Sequence, residues 1–136
     1  MSHEQAQANL ELAFDWMNAM RHRDMEAIAG MFHPDLAWID VAGNLACNGR
    51  EQALGWLRAT PTELSEVDAI ELLANEEHVM LGVRNHGRHE LAGLELEDGQ
   101  SFTVLTLRDG RIVRLRGHIH RDDALADAGI HGYRWR

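Results

Sequence analysis

Lysine is absent from this chain of 136 residues; its 13 basic residues are all arginine, set against 22 acidic ones for a formal net charge of −9. No arginine block concentrates the positive charge, which argues against nucleic acid as a partner. Cysteine occurs once, at Cys47, which excludes an internal disulfide and any multi-cysteine metal site. Only two prolines occur, and no Gly/Ser/Pro-rich or low-complexity stretch reads as a linker, so residues 1–136 form a single domain large enough for one core. Long uncharged apolar runs are also missing. The first helical segment carries charges throughout, so it reads neither as a signal peptide nor as a membrane span, and the expectation is a soluble cytoplasmic protein with no membrane partner. Without a Gly-rich phosphate loop, a serine-centred nucleophile elbow or a dinucleotide fingerprint, no cofactor is expected.

What is present is a change of period along the chain. From about Glu4 to His22 the apolar residues Leu10, Phe14, Met17 and Met20, with Leu12, Trp16 and Ala19, keep helical spacing. Asp24 can cap a short second helix carrying Ile28, Met31 and Phe32, which Pro34 is expected to stop. A strand over Leu36–Val41 and a Gly43-Asn44 turn follow, and Gly49-Arg50-Glu51 opens a third helix that Pro61 ends. Beyond it the period falls to two: strands over Val67–Leu73, His78–His86, Phe102–Leu107 and Ile112–His120, with Asp109-Gly110 as a hairpin turn. Asp122–Ala128 reads as a terminal helical turn before Gly129. Helices first and antiparallel strands after predict an α+β fold, a curved antiparallel sheet with three N-terminal helices on one face.

The strand from Asp35 to Gly43 carries the clearest chemical signal. Strand side chains alternate, so Trp38 and Asp40 share one face while Ile39 and Val41 share the other. A carboxylate beside an indole on a largely apolar strand is costly unless it is hydrogen-bonded or employed. One reading makes Asp40 a base in a pocket lined by Trp16, Trp38 and Trp56, suited to taking a proton beside a carbonyl or activating water. The other makes it a turn aspartate accepting backbone N–H groups from Val41–Asn44. The three tryptophans likewise either line a ligand site or fill the core.

Leu81 and Val83 fall on the inner face of their strand with Val79, and Asn85 in register with them is the polar residue there. Asn85 either bonds a ligand carbonyl or satisfies backbone near the Gly87 bend. His86, His89, His118 and His120 raise the question of a metal, but no carboxylate or third histidine has suitable spacing, so no metal is expected. Arg114, Arg116, His118 and His120 alternate with Leu115, Gly117 and Ile119, which puts the Arg/His set on the outer face, solvated or at a dimer contact. Cys47 has no histidine neighbour to mark it as a nucleophile.

The order of elements resembles the SnoaL-like and ketosteroid-isomerase-like proteins of the nuclear-transport-factor-2-like superfamily. The segments that carry the likeness are Arg23-Asp24-Met25-Glu26-Ala27-Ile28 leading to Met31-Phe32-His33-Pro34-Asp35, then Asn48-Gly49-Arg50-Glu51-Gln52-Ala53, then Leu107-Arg108-Asp109-Gly110-Arg111-Ile112-Val113. The resemblance implies a cone, the sheet wrapped around the long helix and enclosing a central pocket, and a homodimer through the outer sheet face. It also implies a general base at Asp40, where the family's steroid isomerases hold an aspartate at the end of the first strand. Their helix-1 tyrosine and protonated acid correspond here to Trp16 and Thr103, a weaker donor pair; Tyr133 lies in the tail. The acid that polyketide cyclases carry on the last strand falls near His118–His120.

These readings combine into one expectation. A small enzyme binds a compact hydrophobic carbonyl or cyclic molecule, with Asp40 as acid/base and Trp16, Trp38, Trp56, Leu81, Val83, Asn85 and Thr103 shaping the pocket, in isomerase, cyclase, dehydratase or hydrolase chemistry. The alternative is a non-catalytic ligand-binding or dimerisation module of the same fold.

Overall fold

The computed structural model describes residues 2–59, 67–85, 90–91 and 93–130. Helix α1 (Ser2–His22) buries a stripe of Asn9, Ala13, Trp16, Met17 and Met20, the i, i+4, i+7 pattern of a helix laid on a sheet. Phe14, expected on that stripe, is 52% exposed. It sits about 100° around the helix from Ala13, and the row holding the small Ala13 faces the core. Arg23, at φ 53°, turns the chain into α2 (Met25–Met31), whose cap is Asp24: its side chain accepts from the Ala27 N–H at 3.2 Å.

Pro34 does not stop α2. The chain is already extended at Phe32, and Pro34 lies inside strand β1 (Phe32–Ile39). Pairing of β1 with its neighbour is irregular between Phe32 and Ala37, so no ladder bond is demanded of the proline nitrogen. Strand β2 (Leu45–Asn48) pairs with β1 and escapes sequence reading because four residues are too few to show alternation. Helix α3 (Arg50–Ala59) follows; Pro61, expected to end it, lies outside the described residues.

Strands β3 (Val67–Ala74), β4 (His78–Asn85), β7 (Gln100–Arg108) and β8 (Arg111–His118) complete a six-stranded sheet in the order β2-β1-β8-β7-β4-β3. A two-stranded ribbon, β5 (Glu90–Leu91) with β6 (Leu94–Glu95), stands apart. The expected all-antiparallel sheet is mixed, because β1 runs parallel to β8. Asp109 and Gly110 turn the β7–β8 hairpin at φ 54° and 74°, the left-handed pair that an Asp-Gly turn favours. The fold class is α+β, as expected, with an open sheet.

Inner-face side chains form rows across the strands. Trp38, Leu115, Leu105, Val79 and Ala74 are successive partners, and they pack with Trp16, Met17, Leu36, Leu54 and Leu57 in the main core. The outer face carries a second core, Leu73, Met80, Phe102 and Val104 under Ala124 and Ala128. The latter two belong to α4 (Arg121–Ala128), which Gly129 closes at φ 70°. The Phe102 ring and the Glu71 stem close over Gly82, where a Cβ would meet them at 3.0 and 3.1 Å.

Helix α4 corrects the reading of the outer Arg/His set. Arg114 Nη1 donates to both Asp127 oxygens at 3.2 Å, and His118 Nε2 lies 2.9 Å from Asp127 Oδ2. Arg121 grips Glu71 at 2.6 and 3.1 Å. Arg114 and His118 thus hold the chain's own helix in place of solvent. Among the described residues no helix is long and apolar enough to cross a membrane.

Candidate functional site

The inner face is fully buried at one level and partly buried at the next. In the Trp38 row Leu115, Leu105 and Val79 are fully buried. One row on, Thr103 pairs with Leu81 and with Gly117; Leu81 is buried but Thr103 and Gly117 are half-buried. Beyond that, Val83 and Asn85 are half-buried too. Half-buried inner-face positions therefore run from Thr103 to Val83 on two adjacent strands, whereas Gly117 beside them is covered by Val41.

Asp40 lies one residue past β1, continuing the Leu36–Trp38 line toward Gly117. A Cβ on Gly117 would meet Val41 Cγ1 at 2.9 Å, Val41 N at 3.2 Å and the Asp40 carbonyl carbon at 3.6 Å, so the Asp40–Val41 segment leans over the inner side of β8. The strand expected through Val41 ends at Ile39. Asp40 instead starts a turn, with its N–H bonded to the Asn44 carbonyl and its carbonyl accepting from Gly43. Its Oδ1 accepts the N–H groups of Ala42 at 2.9 Å and Asn44 at 3.0 Å. The residue is half-buried, and Oδ2 has no hydrogen bond among the described residues. No inner-face position of the described strands holds another carboxylate.

Two of the three tryptophans meet. Trp38 and Trp56 make an edge-to-face contact at 5.4 Å and 67°, and Trp38 makes another with Phe32 at 6.2 Å and 76°. Trp56, expected to be enclosed, is 45% exposed, because on α3 it is Ala53, Leu54 and Leu57 that face the core. Trp16 is 5% exposed and belongs to the main core, yet its Nε1 has no hydrogen-bond partner among the described residues. A buried donor left unpaired costs about 1–3 kcal/mol; Trp16 Nε1 shares this state with the Thr106 hydroxyl.

Asn85 is committed to structure: its Nδ2 donates to the Gly99 carbonyl at 2.9 Å and Ser101 Oγ at 3.0 Å. Of its two sequence-level readings, the backbone-satisfying one describes its contacts. Val83 and Leu81 face inward as expected. His118 is engaged by Asp127 and His120 is the residue that precedes α4, while His86, His89 and Tyr133 lie outside the described residues. Cys47 is buried, and burial pushes its thiol pKa up, which leaves it unreactive.

A cleft of about 600 Å³ that the sequence did not suggest lies at the β3–β4 turn, lined by Ala6, Ala74, Asn75, Glu76, His78 and Gly129 among others. None of the expected site residues borders it. Its amides are mutually satisfied: Asn9 donates to the Asn75 and Glu76 carbonyls, and Asn75 donates to Ala128 while accepting from Glu77 and His78. The contacts tie α1, the turn and α4 together.

A sequence profile for the SnoaL-like domain matches residues 13–115. Similar solved structures include a proposed ketosteroid isomerase from Kribbella flavida, at TM-score 0.67 and 17% identity, covering 85% of this chain and 80% of that one. An epoxide hydrolase of the LEH-like type from M. tuberculosis matches at TM-score 0.65 and 16% identity, covering 92% and 94%. An NTF-2-like protein of unknown function from Burkholderia xenovorans matches at 0.64 and 12%, covering 82% of each. At these identities the likeness is one of fold. None of the curated proteins matches the chain.

Proposed function

This chain belongs to the SnoaL-like family, and on that premise we propose that it binds a compact, mostly apolar carbonyl or cyclic molecule against the inner sheet face, with Asp40 as the acid/base group. The observation that carries the reading is the half-buried inner-face pair Thr103 and Val83, with the Asp40–Val41 turn closing over Gly117 at the side of Thr103. Two backbone donors fix the carboxyl through Oδ1, and a base held by one oxygen keeps the other for a proton. Trp16, Trp38, Leu81, Val83 and Thr103 would supply the apolar walls, Trp56 the rim, and Asn85 a fixed edge. Isomerisation, cyclisation, dehydration and hydrolysis all suit a single positioned carboxylate; neighbours whose descriptions name an activity include an isomerase, an epoxide hydrolase and a polyketide cyclase, and fold does not choose between them.

A second reading, a non-catalytic binding module, is favoured by the same turn, since closing it gives Asp40 a sufficient structural role. Two variants separate the readings. Asp40→Asn keeps an Oδ1 acceptor for Ala42 and Asn44 and should leave the melting temperature nearly unchanged; Asp40→Ala should cost about 1–2 kcal/mol. Tested against a panel of ketones and epoxides, Asp40→Asn should bind like the parent and turn over at least a hundredfold more slowly. Equal turnover by parent and Asp40→Asn would remove Asp40 from the chemistry. Any homodimer through the outer sheet face would be confined to the part α4 leaves open, around Ile39, Leu45 and Arg116.

A further inference from the structure

The cleft at the β3–β4 turn, about 600 Å³ in volume, falls in the range of about 300–1,000 Å³ that bound molecules fill, and the inner-face site makes no use of it. Its walls are small: Ala6 from near the start of α1, Ala74 from the end of β3, and Ala128 and Gly129 from the end of α4. Its charge is acidic. Glu76 and Glu77 border it and are exposed, and no arginine lines it. Glu71 and Asp127 are held by Arg121 and Arg114, whereas neither Glu76 nor Glu77 is in an ion pair among the described residues. Asn75 is already committed, donating to the Ala128 carbonyl and accepting from Glu77 and His78. What the cleft offers an occupant is therefore an apolar floor with an anionic rim, and the complement of that is an apolar body carrying cations.

The chain carries that complement where it leaves the cleft. Gly129 borders the cleft at φ 70°, and Ile130 is fixed behind it, its N–H bonded to the Leu125 carbonyl at 3.0 Å and its side chain packed on the second core. The next residues, outside the described ones, read His131-Gly132-Tyr133-Arg134-Trp135-Arg136, two arginines and two large aromatic rings with no acid among them. We propose that residues 131–136 dock in this cleft, the Arg134 and Arg136 guanidinium groups on the Glu76 and Glu77 carboxylates and the Trp135 ring on the alanine floor. In an extended segment Arg134 and Arg136 share one side and Trp135 takes the other, which separates the charges from the ring as the rim is separated from the floor. Six residues reach about 20 Å, ample for a cleft that Gly129 itself borders. Exposed ion pairs are individually weak, but a segment tethered this close acts at an effective concentration in the millimolar range. Millimolar affinity then suffices to fill the cleft, and a basic segment of another protein would have to match that concentration to displace it. Docked there, the segment adds a further tie to the Asn9 and Asn75 contacts that join α1, the turn and α4.

The test uses the full chain with carbon-13 alanine methyls and nitrogen-15 indoles. The Trp135 indole N–H resonance, identified by its loss in Trp135→Phe, should show nuclear Overhauser contacts to the methyl groups of Ala6, Ala74 or Ala128. Those contacts should weaken about threefold or more when salt rises from about 20 mM to 0.5 M, since the range of exposed charges falls several-fold between the two. They should weaken likewise at low salt in the double variant Glu76→Gln/Glu77→Gln, whose substitutions are confined to exposed side chains. A Trp135 indole that touches none of the three alanines at low salt overturns the proposal. Contacts that survive both the salt and the double variant unchanged overturn the charge pairing it names. In a mixture of differently labelled copies, contacts that arise only between chains make the occupant a second copy, and the proposal fails as stated.

Discussion

His118 Nε2 lies 2.9 Å from Asp127 Oδ2, and this contact joins the last strand to the last helix. Arg114 completes the cluster from the same strand. Burial works to raise the Asp127 pKa, but the hydrogen bond from His118 and the charge and hydrogen bond of Arg114 outweigh it and leave the carboxyl below its ordinary value of 3.8.

The sign of the pH dependence follows. A carboxylate whose folded pKa is depressed stabilises the fold fully above its unfolded value and loses that contribution as pH falls through the folded one. Asp127→Asn should therefore be less stable than the parent by about 1–2 kcal/mol at neutral pH, with the gap closing as the pH drops below 3.8 and further. Urea unfolding of both chains between pH 2 and 7 measures this; a gap independent of pH would show that the pairing contributes nothing.

Gly117 sits under the Asp40 turn, where an added Cβ would meet Val41 Cγ1 at 2.9 Å and Val41 N at 3.2 Å. The nearest atoms include backbone, which cannot swing aside. Gly117→Ala should cost about 1–3 kcal/mol and move the amide resonances of Ala42 and Asn44, the two donors to Asp40. An unchanged amide spectrum around residues 40–44 would contradict the close approach.

On α3, two neighbours of unequal size should respond in the reverse of their sizes. Leu57 is 2% exposed and Trp56 is 45% exposed. Leu57→Ala should cost about 2–5 kcal/mol, whereas Trp56→Ala loses a half-solvated ring and one edge contact with Trp38, about 1–2 kcal/mol. Thermal melts of the pair decide it; a larger loss for Trp56→Ala would mean the indole is enclosed in solution.

Helix α4 shields Leu73, Met80, Phe102 and Val104. A chain truncated after His120 should expose this patch and self-associate, since contiguous apolar surface of that kind is rarely left bare. Light scattering at micromolar concentration should give a larger mass for the truncated chain than for the full one. Equal masses with equal melting temperatures would mean that α4 covers nothing of consequence.

Local chemistry was legible wherever it depends on near neighbours. The Asp24 cap, the Asp109-Gly110 turn, the Gly129 stop and the inward alternation of Leu81, Val83 and Leu115 are each set by side chains within a few positions, so residue order by itself determined them, and with them the α+β class. Which of two acceptable helix rows faces the sheet was decided by packing, which buried Ala13 and left Phe14 out. The β1–β8 pairing joins segments some eighty positions apart, beyond any periodicity. The fates of Asp40, Asn85, Arg114 and His118 also came from tertiary structure, because each ambiguous polar group took the partner that folding brought within hydrogen-bond reach. The Trp16 indole and the Thr106 hydroxyl were instead given buried places without a partner among the described residues, a fact that exists only once the chain has closed around them.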